Sequence, residues 1–184
     1  RIRRQCRGEA YLFRYADDFV VCFQYRADAE HFRESLGRRM EDFQLELAEE
    51  KTLILEFGRY ARENAYRRGE RPKEWDFLGV TFYCGKTRHG YFKVKRKTSR
   101  KKLRQSVARF TDWIRRYRGL LPTGELLRRA KARVVGHLNY YAMTDNYDHC
   151  KLYVHLVCRS LFKWLNRRSQ RKSYNWQGYL QALC

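Results

Sequence analysis

The strongest constraint on the fold of this chain is a change in charge and in hydrophobic spacing near residue 93. Residues 15–57 contain 11 Asp and Glu against five Lys and Arg, whereas residues 93–184 contain 23 Lys and Arg against four Asp and Glu. Such a division predicts two parts with different surfaces. Because the 184 residues carry a formal net charge of +21, we expect a polyanionic partner, and nucleic acid is the leading candidate.

The composition argues against several other classes of protein. Hydrophobic residues make up 43% of the chain and aromatic residues 16%, which is more apolar surface than a disordered basic tail contains. No apolar run approaches the ~20 residues of a membrane helix, and no signal-peptide core follows the basic first residues. The six cysteines include no Cys-x-x-Cys pair, so neither a disulfide scaffold nor a zinc site is predicted. We therefore expect a folded intracellular protein that does not contact a membrane.

The first part of the chain carries a carboxylate pair at the tip of a predicted hairpin. Two apolar runs, 11–15 and 19–23, flank Ala16-Asp17-Asp18, a spacing typical of antiparallel strands joined by a tight turn. Adjacent carboxylates repel each other, and a divalent cation such as Mg²⁺ compensates their charge. The pair therefore indicates either a site for metal-dependent phosphoryl transfer or a solvated turn, where Asp is common.

Hydrophobic spacing predicts the remaining elements of the first part. Apolar residues at intervals of three and four from Phe32 to Leu47 predict one amphipathic helix with Asp28 as its N-cap. Three further segments have the composition of strands, namely residues 52–57, 75–82 and 91–95. Together with the hairpin they predict a small antiparallel sheet beside the helix.

The second part has helical spacing instead. Ser99 is placed to cap a helix whose apolar positions recur from Leu103 to Ile114, and the same spacing continues through 126–141 and 154–165. Residues in such stripes are usually core. The fold class is therefore α+β, a sheet-containing first part followed by a basic helical bundle.

Four motifs in order along the chain resemble those of a reverse transcriptase. Tyr15-Ala16-Asp17-Asp18, set between two apolar runs, resembles the palm signature in the form usual for the group II intron lineage. Residues 45–52 resemble the motif that follows the palm helix, and residues 77–82 resemble the primer-grip hairpin. Residues 99–103 and 138–141 are similar to the thumb, or maturase domain X. Several ordered motifs are a more specific signal than any one of them.

The resemblance implies an RNA-directed DNA polymerase, a nucleotidyltransferase, that also binds its intron RNA and assists splicing. Residues 1–95 would be the C-terminal part of the palm with the primer-grip hairpin, and residues 96–184 the helical thumb or maturase domain. Its partners would be intron RNA, an RNA template, a DNA primer and deoxynucleoside triphosphates, with Mg²⁺ as cofactor. The expected location is the cytoplasm of a bacterial cell or an organelle.

Individual roles follow from the matched motifs. Asp17 and Asp18 correspond to the metal-binding, catalytic carboxylates, and Lys51 to the group that protonates the pyrophosphate leaving group. A surface lysine without that role is the alternative for Lys51. The residues that would contact the primer are Tyr15, Phe77, Leu78 and Gly79, with core packing as the alternative for Phe77 and Leu78.

Clusters of cations in the second part predict the surface that binds RNA. Phosphate contacts are favoured over a merely solvated charge run because few acids are available for pairing. Neighbouring aromatic rings suit unstacked bases, with packing inside the bundle as the alternative for most of them. The predicted RNA-binding residues are Lys95, Arg96, Lys97, Arg100, Lys101, Lys102, Arg115, Arg116, Arg128, Arg129, Arg133, Tyr140 and Tyr141. A further cluster contains Arg167, Arg168, Arg171 and Lys172.

One expected feature of the family is missing from this sequence. The family's polymerases hold their metals with a further Asp on an earlier palm strand, and no residue before Arg1 supplies it. We therefore expect a C-terminal fragment that does not polymerise on its own. Two other functions stay open. One is a non-catalytic RNA-binding splicing factor, and the other is a reverse transcriptase of another system, such as a defence locus.

Overall fold

The computed structural model of the chain describes residues 5–168 and 175–183. The chain divides into two compact units, one formed by Arg1–Phe77 with Cys84–Lys93 and the other by Leu78–Tyr83 with Val94–Cys184. Residues 78–83 thus belong to the second unit, although they lie in the first part of the sequence division. In the described residues the elements are β1 (Ala10–Tyr15), β2 (Asp18–Phe23), α1 (Arg26–Glu41), α2 (Ala61–Arg67), β3 (Trp75–Phe77), β4 (Val80–Lys86), β5 (Phe92–Thr98), α3 (Arg100–Tyr117), α4 (Thr123–Tyr141), α5 (Tyr147–Leu165) and α6 (Trp176–Leu183).

Strands β1 and β2 form the predicted hairpin. They are antiparallel, and their register pairs Ala10 with Phe23 at one end and Tyr15 with Asp18 at the other. Only Ala16 and Asp17 remain for the turn, and Ala16 adopts a positive φ of 52°, which is unfavourable for a residue with a Cβ atom. The hairpin prediction is confirmed, with Asp18 as the first residue of β2.

Helix α1 begins earlier than the sequence predicts. Its N-cap is Tyr25, and Asp28 lies within the first turn, where it is buried. The Asp28 carboxylate accepts hydrogen bonds from the backbone N–H groups of Arg7, at 3.0 Å, and Gly8, at 3.3 Å. The prediction of Asp28 as the N-cap is therefore wrong, because this side chain anchors the segment before β1. The helix ends at Glu41, so Leu47 lies beyond it.

The predicted strand at 52–57 is wrong, because these residues have no regular secondary structure. Side-chain contacts hold the segment instead. Glu56 accepts hydrogen bonds from Asn64, at 2.6 Å, and Arg68, at 2.8 Å, which lie on and after α2. The ring of Phe57 packs edge-on against Trp75 with centroids 5.8 Å apart. The short helix α2, which hydrophobic spacing did not predict, supplies Asn64, and Arg68 follows its last residue.

The segment predicted as one strand at 75–82 contains two. Strands β3, β4 and β5 form a three-stranded sheet in that order, and Leu78 and Gly79 make the turn between β3 and β4 with φ values of 51° and 80°. Glycine is the residue best suited to such a φ value. The primer-grip resemblance had indicated a hairpin at this place, whereas strand composition alone had not.

The second unit is built on the three long helices α3, α4 and α5. The Ser99 hydroxyl accepts a hydrogen bond from the Lys102 N–H, as predicted for an N-cap. The core contains Ile114 from α3, Leu126 from α4 and Val157 from α5, all almost fully buried. The short helix α6 was not predicted, and its Tyr179 also joins this core. Among the described residues, no helix has the length and apolar composition of a membrane span.

Candidate functional site

The carboxylate pair stands at the exposed tip of the β1–β2 hairpin. Asp17 is the second residue of the turn, and Asp18 opens β2 opposite Tyr15. All three side chains are exposed, Tyr15 to 64%. The Arg14 Nε donates a hydrogen bond of 2.7 Å to the Ala16 carbonyl oxygen, which stabilises the turn. The hairpin therefore presents both carboxylates to solvent, where they are accessible to a cation or substrate.

The donor set at this tip is incomplete for a metal ion. Asp17 and Asp18 offer carboxylate oxygens, the ligands that Mg²⁺ prefers. In residues 5–168 and 175–183, however, no group of three or more His, Cys, Asp or Glu side chains is arranged to hold a metal ion. The described residues therefore do not by themselves make a complete Mg²⁺ site.

Lys51 is not brought to the carboxylate pair by any described contact. Its side chain is exposed, and its backbone N–H donates to the Ala48 carbonyl oxygen at 3.0 Å in a turn after α1. Within residues 5–168 no ion pair joins Lys51 to Asp17 or Asp18. Its role as a proton donor stays a prediction.

The turn at Leu78 and Gly79, predicted to grip a primer, is fixed by residues of its own unit. The Ser99 N–H donates to the Gly79 carbonyl oxygen, and the Tyr140 hydroxyl donates to the Leu78 carbonyl oxygen, both at 3.0 Å. A Cβ atom on Gly79 would lie 2.8 Å from the Tyr141 hydroxyl oxygen, so a larger residue requires Tyr141 to shift, and the positive φ also favours glycine. Phe77, the third residue of the predicted primer grip, belongs to the other unit and is half-buried.

These contacts change the interpretation of two tyrosines that were predicted to bind RNA. Tyr141 is 9% exposed and packs in a small core with Val80 and Cys150, so burial argues against its contact with RNA. Tyr140 is 57% exposed, yet its hydroxyl holds the turn. Helical spacing through 126–141 had indicated core positions that include Tyr141, but it gives no sign of the contact between Tyr140 and the distant Leu78.

We expect Tyr140→Phe to loosen the Leu78–Gly79 turn without unfolding its unit. The variant loses one hydrogen bond, worth about 1 kcal/mol, so amide exchange in the turn should accelerate roughly fivefold while the core amides of α3 are unaffected. Hydrogen–deuterium exchange with residue-level resolution measures this. Tyr147→Phe is the matched control, since Tyr147 is 74% exposed. Equal exchange in the turn for both variants would show that the bond does not restrain it.

The cations predicted to bind RNA fall into two groups. At the junction of β5 and α3, Arg100, Lys101 and Lys102 are exposed, and they lie at a helix N-terminus, which favours anions. On α4, by contrast, Glu125 pairs with Arg128 at 2.7 Å and with Arg129 at 2.5 Å. Hydrogen bonds from Arg129 and Arg128 hold the pKa of Glu125 below its ordinary value.

Other predicted RNA-binding cations also have local partners. Arg115 lies 3.7 Å from the Asp112 carboxylate, Arg133 lies over the Trp113 ring at 4.5 Å, and Lys97 lies over the Tyr83 ring at 4.7 Å. The exposed ion pair of Arg115 with Asp112 is weak, and the two aromatic rings are neutral, so Arg133 and Lys97 keep their charge. The remaining members of the prediction are the exposed Arg116 and the half-buried Lys95 and Arg96. Of the last cluster, Arg171 and Lys172 lie outside the described residues.

The junction before α3 depends on a buried side chain that the sequence did not indicate. Asn146 is fully buried, and its side chain accepts from the Thr98 N–H at 2.7 Å. Its amide group donates to the Thr98 hydroxyl at 2.8 Å and to the Tyr141 carbonyl oxygen at 2.7 Å. Asn146 therefore ties the end of β5 to α4 and α5 and positions the cations that follow Ser99.

His137 introduces a pH dependence into the same unit. Its ring stacks on Tyr153 with centroids 3.6 Å apart. Burial, together with the charge of Arg109, lowers the pKa of His137 to about 4. Since the unfolded chain has the ordinary pKa near 6.5, the unfolded state binds more protons between these values, and stability should fall as the pH falls from about 6.5 to 4.

We expect His137→Phe to weaken this pH dependence, because phenylalanine keeps a stacked ring but cannot bind a proton. Urea denaturation at several pH values between 4 and 7 measures the change. His155→Gln is the control, since His155 is exposed on α5 and its replacement should leave the slope unchanged. A slope in His137→Phe as steep as in the parent chain would assign the effect to another group.

Comparison with known proteins found a similarity, and it lies in the first part of the chain. Residues 1–82 match the family model described as reverse transcriptase (RNA-dependent DNA polymerase), and no match was found among curated proteins. The helices and small antiparallel sheets described above are consistent with a fragment of the palm of such an enzyme. The matched region contains the carboxylate hairpin, Lys51 and the turn at Leu78 and Gly79, whereas α3 to α6 lie outside it. Over these 82 residues, the chain is similar to the reverse transcriptases, a family of RNA-directed DNA polymerases that act on nucleic acids and nucleotides and normally use divalent metals.

Proposed function

We propose that this chain forms the end of the palm, together with the thumb or maturase domain, of a group II intron reverse transcriptase that also binds its intron RNA and assists splicing. The complete enzyme would transfer deoxynucleotides to a primer 3′ hydroxyl under the direction of an RNA template, with release of pyrophosphate. The observation that carries the proposal is the exposed Asp17–Asp18 pair at the tip of a hairpin with a two-residue turn, within the region that matches reverse transcriptases. The protein would act in the bacterial cytoplasm or in an organelle, away from membranes.

The second unit supports the RNA-binding half of the proposal through its charge. The exposed cations that open α3 stand at a helix N-terminus whose backbone N–H groups favour phosphate. Ser99 caps this helix, and the buried Asn146 fixes the residues just before it. A rigid cationic helix start suits a phosphate backbone better than a flexible charge run does, because less conformational entropy is lost on binding.

The polymerase half requires a completed metal site. Mg²⁺ would be shared between Asp17, Asp18 and at least one carboxylate outside the residues described above. The ion would neutralise charge that develops on the reacting phosphate. We therefore propose that the isolated chain does not extend primers, and that activity requires the palm strand that carries the further carboxylate.

Reconstitution tests the polymerase proposal. The chain is mixed with a separately produced palm and fingers segment from a group II intron reverse transcriptase, and primer extension on an RNA template is measured with Mg²⁺. We expect no extension by either piece alone and extension by the mixture. Failure of the mixture, with both pieces folded, would reject the polymerase function.

A non-catalytic splicing factor is the second candidate, and the incomplete donor set at the hairpin tip favours it. In that case the chain would bind an intron transcript and promote its splicing, while the mixture would not extend a primer. A reverse transcriptase of another system, such as a defence locus, predicts the reverse, namely extension without preferential binding of a self-splicing intron transcript.

A further inference from the structure

A groove of about 630 Å³ lies in the second unit and is lined by residues of α3, α5 and α6. Its volume falls within the range of ~300–1,000 Å³ that is usual for small-molecule sites. None of the predicted RNA-binding residues lines it. The groove therefore offers a site that the sequence motifs do not assign.

One wall of the groove is a row of basic side chains on α5. His155, Arg159 and Lys163 are spaced by four residues and thus lie on one face of the helix. All three are exposed. No ion pair with a described residue engages Arg159 or Lys163, in contrast to Arg128 and Arg129 on α4.

The groove also lacks acidic side chains. The four acids of residues 93–184 are Asp112, Glu125, Asp145 and Asp148, and none of them lines it. The charge of Arg159 and Lys163 is therefore not compensated locally, and the groove attracts anions.

Aromatic rings form another part of the lining. Trp176 of α6 packs edge-on against Phe162 with centroids 5.1 Å apart, and Trp164 contributes a second indole. Both tryptophans are half-buried, so part of each ring is accessible. Arg118 lies over the Trp164 ring at 4.8 Å and Arg167 at 5.5 Å, which adds positive charge beside the groove.

Two hydroxyl groups complete the lining. The Thr111 Oγ1 of α3 and the Ser160 Oγ of α5 are 3.0 Å apart and share a hydrogen bond. A shared hydroxyl pair keeps lone pairs and a rotatable proton, so it can donate to or accept from a sugar hydroxyl or a base edge. Cations, accessible rings and hydroxyls together match the phosphate, the base and the ribose of a nucleotide.

We propose that this groove binds an unstacked nucleotide of single-stranded RNA, with Arg159 and Lys163 on the phosphate and an indole ring against the base. This inference rests on the proposed RNA-binding function and adds a second contact to it. A duplex keeps its bases stacked on each other, so they do not reach the indole rings. The groove therefore selects single-stranded segments, while the cations at the start of α3 accept either form.

Binding of three probes by the full chain tests the proposal. The probes are a short oligouridylate, an abasic oligomer of the same length and charge, and an RNA duplex, each followed by fluorescence anisotropy at fixed salt. Because stacking contributes about 1–3 kcal/mol per base, we expect the oligouridylate to bind at least about fivefold more tightly than the abasic oligomer. Equal affinity for these two probes would overturn the proposal.

Two variants locate the effect. Arg159→Gln/Lys163→Gln should weaken binding of the oligouridylate about tenfold, whereas Lys86→Gln/Arg88→Gln, which removes the same charge from exposed positions of the first unit, should weaken it much less. Trp176→Leu should abolish the preference for oligouridylate over the abasic oligomer. Because Trp176 also packs against Phe162, the circular dichroism spectrum of the Trp176→Leu variant is compared with that of the parent chain. If the two spectra differ, the result for Arg159→Gln/Lys163→Gln decides.

The outcomes separate this inference from the function on which it rests. If the groove variant and its control bind the oligouridylate equally well, the groove is not a nucleotide site, while RNA binding by the chain still stands. If the parent chain binds none of the three probes, both the groove site and the RNA-binding function are rejected. The expected result for the groove variant is oligouridylate binding weakened about tenfold, with duplex binding retained.

Discussion

Asn146→Ala is expected to lower the free energy of unfolding of the helical unit by about 3 kcal/mol. The side chain is fully buried and takes part in hydrogen bonds with the Thr98 N–H, the Thr98 hydroxyl and the Tyr141 carbonyl oxygen. Each bond contributes about 1 kcal/mol, and partners left buried without a bond add to the cost. Urea denaturation followed by far-ultraviolet circular dichroism measures the loss.

Asn139→Ala is the matched control, because Asn139 is exposed on α4. Exposed substitutions of this kind usually change stability by less than about 0.5 kcal/mol. A loss below 1 kcal/mol for Asn146→Ala would mean that water replaces the amide, and that the end of β5 is not tied to α5 in the way described. RNA binding by Asn146→Ala should also weaken at fixed temperature, because Asn146 holds Thr98 and Thr98 precedes the cationic start of α3.

Asp17→Asn/Asp18→Asn is expected to reduce primer extension by the reconstituted enzyme at least about 10³-fold. Asparagine keeps the shape of each side chain but removes the negative charge that would hold a cation. A rate loss of this size corresponds to about 4 kcal/mol of lost transition-state stabilisation. Single-turnover extension of a labelled primer measures it, and binding of the intron transcript should be unchanged because the hairpin lies outside the basic unit.

Glu41→Gln/Asp42→Asn controls for the loss of two neighbouring negative charges. Both residues are exposed, at the end of α1 and just after it, and neither belongs to a motif of the family. We expect this variant to extend primers as well as the parent does. Full activity in the hairpin variant would show that other groups hold the metal, and the carboxylate pair would then be only a solvated turn.

The parts of the fold that sequence predicted well have local signals. The hairpin follows from two apolar runs separated by a turn, and the cap of α3 follows from a Ser three residues before the N–H that it binds. The core of the helical unit follows from spacing by three and four, because one face of each helix must be buried. In each case the residues that carry the signal are close together in the chain.

The failures have partners that are distant in the chain. Asp28 has the right spacing for an N-cap, yet it binds the backbone of residues some 20 positions earlier. Residues 52–57 have strand composition, but no strand in the described part of the chain pairs with them, and Glu56 and Phe57 contact side chains instead. Amino-acid composition indicates how well a segment fits into a sheet, but it does not show whether a partner strand exists.

The candidate site shows the same limit. The carboxylate pair could be found in the sequence because its two members are adjacent, whereas the anchoring of Leu78 by Tyr140 joins residues 62 positions apart. Cation counts also overstated the free charge of α4, because Glu125 binds two of the predicted RNA contacts at once. Glu125 alone, one helical turn from Arg128 and Arg129, pairs with both and lowers the net charge of the cluster.

The packing around Gly79 restricts which residues can replace glycine at this position. At this turn even a methyl group would meet the Tyr141 hydroxyl and the Lys102 side chain, while nothing lies within 4 Å of the corresponding point at Gly119 or Gly124. In a library that samples all amino acids at each glycine, selection for a folded chain should therefore recover glycine almost alone at 79 and many residues at 119 and 124. Glycine at position 79 should therefore be retained among diverged copies of the gene, and it would help to align their sequences even where the surface lysines and arginines differ.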